Sequence, residues 1–310
     1  MLSIYMTIDH ELVPVEEFRQ GCWINLAAPT QSELEQAAAM TGADPDYLRA
    51  ALDEEERARI ESQDGQTLIM CDIPRVETED GAYVYTTLPM GILLLEDYII
   101  TVCLLESSLI SDFVNNRVKG LYTYKRSRFI FQLLYRNATR FLMYLRRIDK
   151  ASNQIHSEMQ KSYRNKELFQ MMALEKSLVY FSTSLKGNEM VLEKLVKVNY
   201  IRTYPEDEEL LDDVIIENKQ AIEMCSIYRD ILSGTMDAYA SIISNNLSIV
   251  MKFLATITIV ISLPTLITSA WGMNLNVPWE GHPLGFLIVS GIAVGVTVIA
   301  AIWLWRRKMF

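Results

Sequence analysis

Four hydroxyl side chains, Thr258, Ser262, Thr265 and Ser269, follow one another at steps of four, three and four residues in an otherwise apolar stretch. Those steps place them on one face of a helix. Toward the C-terminus the same face ends near Asn274, and toward the N-terminus it takes in Leu254 and Met251. Pro264 lies inside the stretch and denies a carbonyl three or four residues earlier its helical donor. At membrane depth such irregularity is tolerated where it lines protein or water rather than lipid. The chemistry open to this set is passage of an ion along hydroxyls, carbonyls and one amide. Met251 and Leu254 form an apolar inner end that could close by dewetting. A single Ser or Thr in such a helix more often joins helices or bonds back to its own backbone. The unbroken stripe, finished by an amide, favours a pore wall.

A second group of candidate ligands is acidic. Glu206, Asp207, Glu208, Glu209, Asp212, Asp213 and Glu217 precede the first basic residue, Lys219. Acids suit the start of a helix, and they can also pair with the basic segment before them. Both reasons cover Glu206 to Glu209. Asp212 and Asp213 lie further along, where the dipole has faded. Carboxylates packed near a subunit boundary repel until a divalent cation bridges them.

The elements that position these groups are two membrane helices and a long helix leading into them. Residues 253–273 and 284–305 contain no charged side chain, and each run is long enough to cross a bilayer. A short connector, 274–283, carries Glu280 and His282 but no Lys or Arg, whereas Lys252 precedes the hairpin and Arg306, Arg307 and Lys308 follow it. Cytoplasmic flanks collect Lys and Arg, so both termini are expected inside and the connector outside, in the cell membrane. Trp271, Trp279, Trp303 and Trp305 fall near the expected interfaces. Two helices cannot enclose a channel, so several copies must assemble with the striped face inward. Gly291 and Gly295 make a GxxxG pattern that reads as close helix packing.

Ahead of the hairpin the sequence reads as a soluble body. Thr30-Gln31-Ser32-Glu33 is a capping box opening a helix to about Thr41, and Pro45 to Asp53 reads as a second helix. Cys22–Ala27, Thr67–Val76, Ala82–Met90, Gly91–Leu95 and Tyr98–Leu104 read as strands. Up to Asn116 there are 22 acidic and 5 basic residues; from Arg117 to Arg164 there are 2 acidic and 12 basic. Phe131, Leu134, Phe141, Tyr144 and Leu145 interleave the basic segment, which argues for a packed helix docked on acidic neighbours rather than a nucleic-acid arm. Helical periodicity then continues to about Arg202, with breaks expected near Arg164-Asn165 and at Gly187-Asn188. Thr203-Tyr204-Pro205-Glu206 reads as another capping box. The helix it opens meets no further Pro until Pro264, and from Glu206 to Asn274 it would extend roughly 100 Å. Met224, Ile227, Ile231, Ala238, Ile242 and Ile249 mark the seam of a shared stalk.

The boundaries that follow are an α/β cytoplasmic domain at 1–120, a helical pair at 121–202 and a stalk at 203–252. A pore-lining span at 253–273, an outer loop at 274–283, a second span at 284–305 and a basic tail at 306–310 complete the chain. The start of the chain lacks a basic segment and an apolar core, so no signal peptide is expected. Cys22, Cys71, Cys103 and Cys225 are scattered without a CxxC pair and should be free, mostly buried thiols.

Pro264-Thr265-Leu266-Ile267, Trp271-Gly272-Met273-Asn274, a short loop, a second span and a basic tail resemble the CorA family of divalent cation transporters. The family's Gly-Met-Asn signature is usually preceded by Tyr; here that place holds Trp271. Trp23-Ile24-Asn25-Leu26, Pro29-Thr30 and Ala51-Leu52-Asp53-Glu54-Glu55-Glu56-Arg57 resemble the family's cytoplasmic domain, so the likeness extends over essentially the whole chain. It implies a funnel-shaped homopentamer in the lipid bilayer that takes up Mg²⁺. Gly272, Met273 and Asn274 would be the selectivity filter, with Asn274 holding the ion through its hydration shell. It also implies a regulatory Mg²⁺ site at a subunit boundary, where Asp213, with Asp212 beside it, stands at the expected place; its partner is not assigned.

Mg²⁺ sheds water reluctantly, so a filter for it needs oxygens that bond the water shell rather than carboxylates that strip it. No organic cofactor and no nucleic acid are expected. A Zn²⁺, Co²⁺ or Ni²⁺ carrier of the same family is the alternative, and the intact Gly-Met-Asn favours Mg²⁺ over Zn²⁺. A membrane-anchored enzyme is a distant one, because GxxxxGK[ST], HExxH and GxSxG are missing and His10, His156 and His282 are far apart. A structural tether would need no polar stripe.

Overall fold

The computed structural model describes residues 1–79, 82–159, 165–198, 200–201, 204–273, 278–279 and 283–307. The chain divides into two compact units, Met1–Gly234 and Thr235–Phe310.

The first unit is built on a seven-stranded sheet in the order β2-β1-β3-β7-β6-β5-β4. The strands are β1 (Leu2–Ile8), β2 (Glu11–Val15), β3 (Trp23–Ala27), β4 (Arg59–Gln63), β5 (Gln66–Glu79), β6 (Ala82–Leu94) and β7 (Ile99–Cys103). All neighbours are antiparallel except β3 and β7, which run parallel with Trp23 opposite Ile99. Alternation along the strands sends side chains to two cores. Ile24, Leu26, Leu68, Met70, Leu93, Ile100 and Val102 face α1 (Gln31–Thr41) and α2 (Pro45–Ala50). Trp23, Ile69, Cys71, Met90, Ile92, Ile99 and Cys103 face the other way, toward α3 (Ser108–Val114), α4 (Arg126–Met159), α5 (Asn165–Lys197) and the start of α6 (Pro205–Trp271). The body is therefore a layered α/β domain with its sheet between helices.

Local rules explain the smaller helices. The Thr30 hydroxyl caps α1 while the Glu33 carboxylate accepts from the Thr30 and Leu2 backbone N–H groups, and these bonds hold the Glu33 carboxyl down at about 2. Gly42 closes the helix in the left-handed conformation. Trp23 is fully buried against Tyr5, Phe113 and Phe129. Its indole donates to Thr101 Oγ1 at 2.8 Å, and that hydroxyl donates to Asn25 Oδ1.

Two expected breaks are absent, for steric reasons. Ala82–Leu94 is one strand: a Cβ on Gly91 would stand 2.8 Å from Ala51 Cβ, so this glycine admits α2 to the sheet face rather than ending the strand. Helix α5 runs through Gly187-Asn188. A Cβ on Gly187 would lie 3.1 Å from Ala58 Cβ, and the Asn188 amide does work of its own. Its Oδ1 accepts from the Asp72 N–H at 2.8 Å and its Nδ2 donates to the Asp72 carbonyl at 2.9 Å. One side chain thus stands in for a strand at the point where β4, whose pairing ends at Met70, no longer covers β5. Asn137 of α4 adds a bond to the same carbonyl, and Asn218 of α6 donates to the Leu185 carbonyl of α5.

The basic segment is largely consumed by packing and local pairing. Arg140 pairs with Asp112, Arg128 with Asp207 at 3.3 Å and Lys125 with Glu206 at 3.8 Å, while Arg126 donates to the Leu95 and Glu96 carbonyls. The apolar residues between them, Phe131, Leu134, Phe141, Tyr144 and Leu145, are all buried. All four cysteines are free and buried; desolvation pushes the Cys225 thiol up to about 11 and Cys71 higher still. Strands β1, β2 and β4 and helix α3 are additions to the elements expected from sequence.

The second unit contains the C-terminal half of α6 and all of α7 (Gly285–Arg306). Both carry windows long and apolar enough to cross a membrane, with mean hydropathy 2.0 and 2.5. Only 6 % and 17 % of those windows is buried, unlike the core helix of a soluble protein.

Candidate functional site: the hydroxyl face of the first apolar span

Helix α6 continues without interruption through Pro264 to Trp271. Met251, Leu254, Thr258, Ser262, Thr265 and Ser269 are all exposed, and the last four share one open groove on the helix with Ile257, Ile261 and Leu266. The sequence pattern and the geometry agree on this face.

The hydroxyls also bond back to their own helix. Thr258 donates to the Leu254 carbonyl at 2.8 Å, Ser262 to Ile259 at 3.0 Å and Thr265 to Ile261 at 3.0 Å. That local bond fixes what the face can offer. A hydroxyl has one proton and two lone pairs, so once the proton goes to the backbone the outward-facing oxygen is an acceptor. Thr258, Ser262 and Thr265 thus form a row of acceptors among aliphatic side chains.

At the C-terminal end of α6, Gly272 and Met273 follow the last turn, the Gly272 N–H bonding to the Thr268 carbonyl at 3.0 Å. Asn274, Glu280 and His282 lie outside the described residues. Two residues that sequence reasoning did not assign shape this end. The Trp271 indole donates to the Pro278 carbonyl at 2.8 Å, which ties the connector to the helix it leaves. A Cβ on Gly285 would stand 2.6 Å from the Trp279 carbonyl and 3.1 Å from the Trp271 ring, so only glycine lets α7 begin this close. The substitution of Trp for Tyr before Gly-Met-Asn was the available signal; its partner could not be read from spacing. Gly291 and Gly295 are exposed, and a Cβ added at either would meet nothing within 4 Å among the described residues beyond its own helix backbone.

At the acidic start of α6, Glu206 and Asp207 are taken up by Lys125 and Arg128, as helix-start acids beside a basic segment should be. Asp212 and Asp213 are exposed on the next turns. Among the described residues of one chain no three His, Cys, Asp or Glu side chains converge on a metal-sized site. Thr203, the expected cap, lies outside the described residues.

A sequence profile for the CorA-like Mg²⁺ transporter protein family matches residues 18–308. The chain belongs to the CorA family. It is 28 % identical over 309 residues to the cobalt/magnesium transport protein CorA of Methanocaldococcus jannaschii, covering 96 % of this chain and 93 % of that one. Against the CorA of Thermotoga maritima the identity is 22 % over 98 % of this chain and 88 % of that protein. The solved complete structure of the Methanocaldococcus jannaschii CorA magnesium transporter superposes with a TM-score of 0.86 at 24 % identity, covering 99 % and 98 % of the two chains. The α/β body, the long helix and the two C-terminal apolar helices are thus the CorA fold.

Proposed function

We propose that this chain is one subunit of a cell-membrane channel that admits hydrated divalent cations, Mg²⁺ foremost. The observation that carries the reading is the face of α6 on which Thr258, Ser262 and Thr265 present acceptor oxygens, in line with Ser269; in the sequence Gly272-Met273-Asn274 follows it. A cation turns the oxygens of its water shell inward and their protons outward, so a wall that guides the intact shell must accept hydrogen bonds. Hydroxyls whose own protons are committed to the backbone meet that demand. Asn274 would add an amide oxygen at the mouth, and Met251 and Leu254 would close the inner end by dewetting. The same residues are exposed in the single chain, which suits a ring of identical subunits, a homopentamer with both termini inside the cell.

Asp212 and Asp213, exposed and without a converging set among the described residues of one chain, would meet a neighbouring subunit and bind cytoplasmic Mg²⁺ as a brake on opening. The related proteins named for cobalt and magnesium transport support the choice of ion.

The deciding experiment is metal uptake by purified protein in liposomes, with and without a membrane potential. Mg²⁺ should enter, and Asn274→Ala should remove that uptake while leaving assembly intact. Wild-type flux and selectivity in a correctly assembled Asn274→Ala protein would eliminate the filter assignment, and absence of any metal flux in the wild type would eliminate the channel.

A further inference from the structure

Asn137 of α4, Asn188 of α5 and Asn218 of α6 are 3 %, 5 % and 2 % exposed, and together with Cys71 of β5 they line one small cavity of about 10 Å³ closed elsewhere by aliphatic side chains. The bonds of the three amides leave a definite remainder. Asn188 uses Oδ1 and one N–H on the Asp72 backbone, Asn137 uses one N–H on the Asp72 carbonyl, and Asn218 uses one N–H on the Leu185 carbonyl. The Asn137 Oδ1 is buried and has no hydrogen-bond partner among the described residues. Leaving a buried amide oxygen unbonded is unfavourable, and native proteins answer it with protein or ordered water.

We propose that this cavity is the binding site of one structural water, which donates to Asn137 Oδ1 and completes a joint between α4, α5, α6 and the sheet. The volume matches a single water, and the site offers the two to four polar partners such a water requires. Besides Asn137, the lining residues Asn188, Asn218 and Cys71 carry a second amide N–H, an amide oxygen and a thiol that the bonds above leave uncommitted. Each of the three helices contributes one amide, so the water fixes the register of α6 on the domain through hydrogen bonds rather than through aliphatic packing alone.

Two substitutions at Cys71 separate this from a dry void, because neither removes an amide hydrogen bond. Cys71→Val pushes bulk into the cavity and expels a water; Cys71→Ser keeps the size and gives that water a hydroxyl partner. With the water in place, Cys71→Val lowers the thermal midpoint of the full-length protein by about 2–4 °C or more, since Asn137 Oδ1 loses its only donor. Cys71→Ser then lowers it less. A dry void gives the reverse order: the valine fills space and is neutral or stabilising, while the serine buries an unbonded hydroxyl. That reversed order overturns the proposal. So does a structure of the full chain that resolves ordered water and shows none within hydrogen-bond distance of Asn137 Oδ1.

Discussion

Replacing Asp72 by Asn should stabilise the protein at neutral pH and do nothing in acid. Asp72 lies on β5 beneath the Asn188 clamp; burial raises its carboxyl from 3.8 to about 6, against the Ser184 hydroxyl, which pulls it the other way. The folded group therefore binds a proton more tightly than the unfolded one. Between about pH 4 and pH 6 the folded chain holds a proton that the unfolded chain has released, so stability falls as pH rises through that window and levels off above it. The gap between the two values corresponds to about 3 kcal/mol, present below about pH 4 and lost above about pH 6. An asparagine is neutral throughout. Asp72→Asn should match the wild type near pH 4 and exceed it by about 2–3 kcal/mol near pH 7.5, or roughly 5–10 °C in midpoint for a unit of this size. Circular dichroism melts of the full-length protein in detergent at several pH values measure the difference directly. A variant less stable than the wild type near pH 7.5, or a difference that does not change with pH, would refute the reasoning.

Asn188→Ala removes both bonds to the Asp72 backbone and leaves its N–H unpaired, while Asn137 still serves the carbonyl; denaturant unfolding should register a loss of about 2–4 kcal/mol. Gly285→Ala forces a methyl against the Trp279 carbonyl and the Trp271 ring. It should lower metal flux in liposomes while the midpoint of the sheet domain stays put, because the clash lies in the second unit. Asp212→Ala combined with Asp213→Ala should keep transport but weaken its inhibition by internal Mg²⁺, and an unchanged Mg²⁺ dependence would dismiss these two carboxylates as the brake.

The parts legible in the sequence were those set by local or one-dimensional rules. Two charge-free runs, a hydroxyl repeat at helical spacing and the Thr30–Glu33 capping box each depend on residues a few positions apart, and each has its counterpart in the structure. Glycines misled where their reason was tertiary. Gly91 and Gly187 resembled breaks because spacing alone does not reveal Ala51, which leaves no room for a side chain at the first, or Ala58, which crowds the second. Strands β1 and β2 are joined through Asp9 and His10, both at positive φ, a hairpin turn without the Gly or Asn that usually announces one. Strand β4, ArgIleGluSerGln, buries only one residue and so has little apolar signal. The hydroxyl stripe was visible as a pattern, but its polarity was not: only the atomic positions show that the protons of Thr258, Ser262 and Thr265 turn inward to the helix.

The β5–β6 hairpin outgrows its neighbours, since β4 stops opposite Met70 and β7 stops opposite Met90. Overhanging ribbons of this kind normally invite a foreign strand to extend them. Here Asp72 is occupied by Asn188, Tyr85 N–H is occupied by the Ser177 hydroxyl, and Pro74 and Pro89 have no N–H to offer. In the folded chain a β-segment joining the overhang must displace Asn188 or Ser177 of α5, or meet a proline that offers no donor. Both caps come from α5, which follows the hairpin in the chain, so the ribbon gains this guard only after that helix has been made and packed.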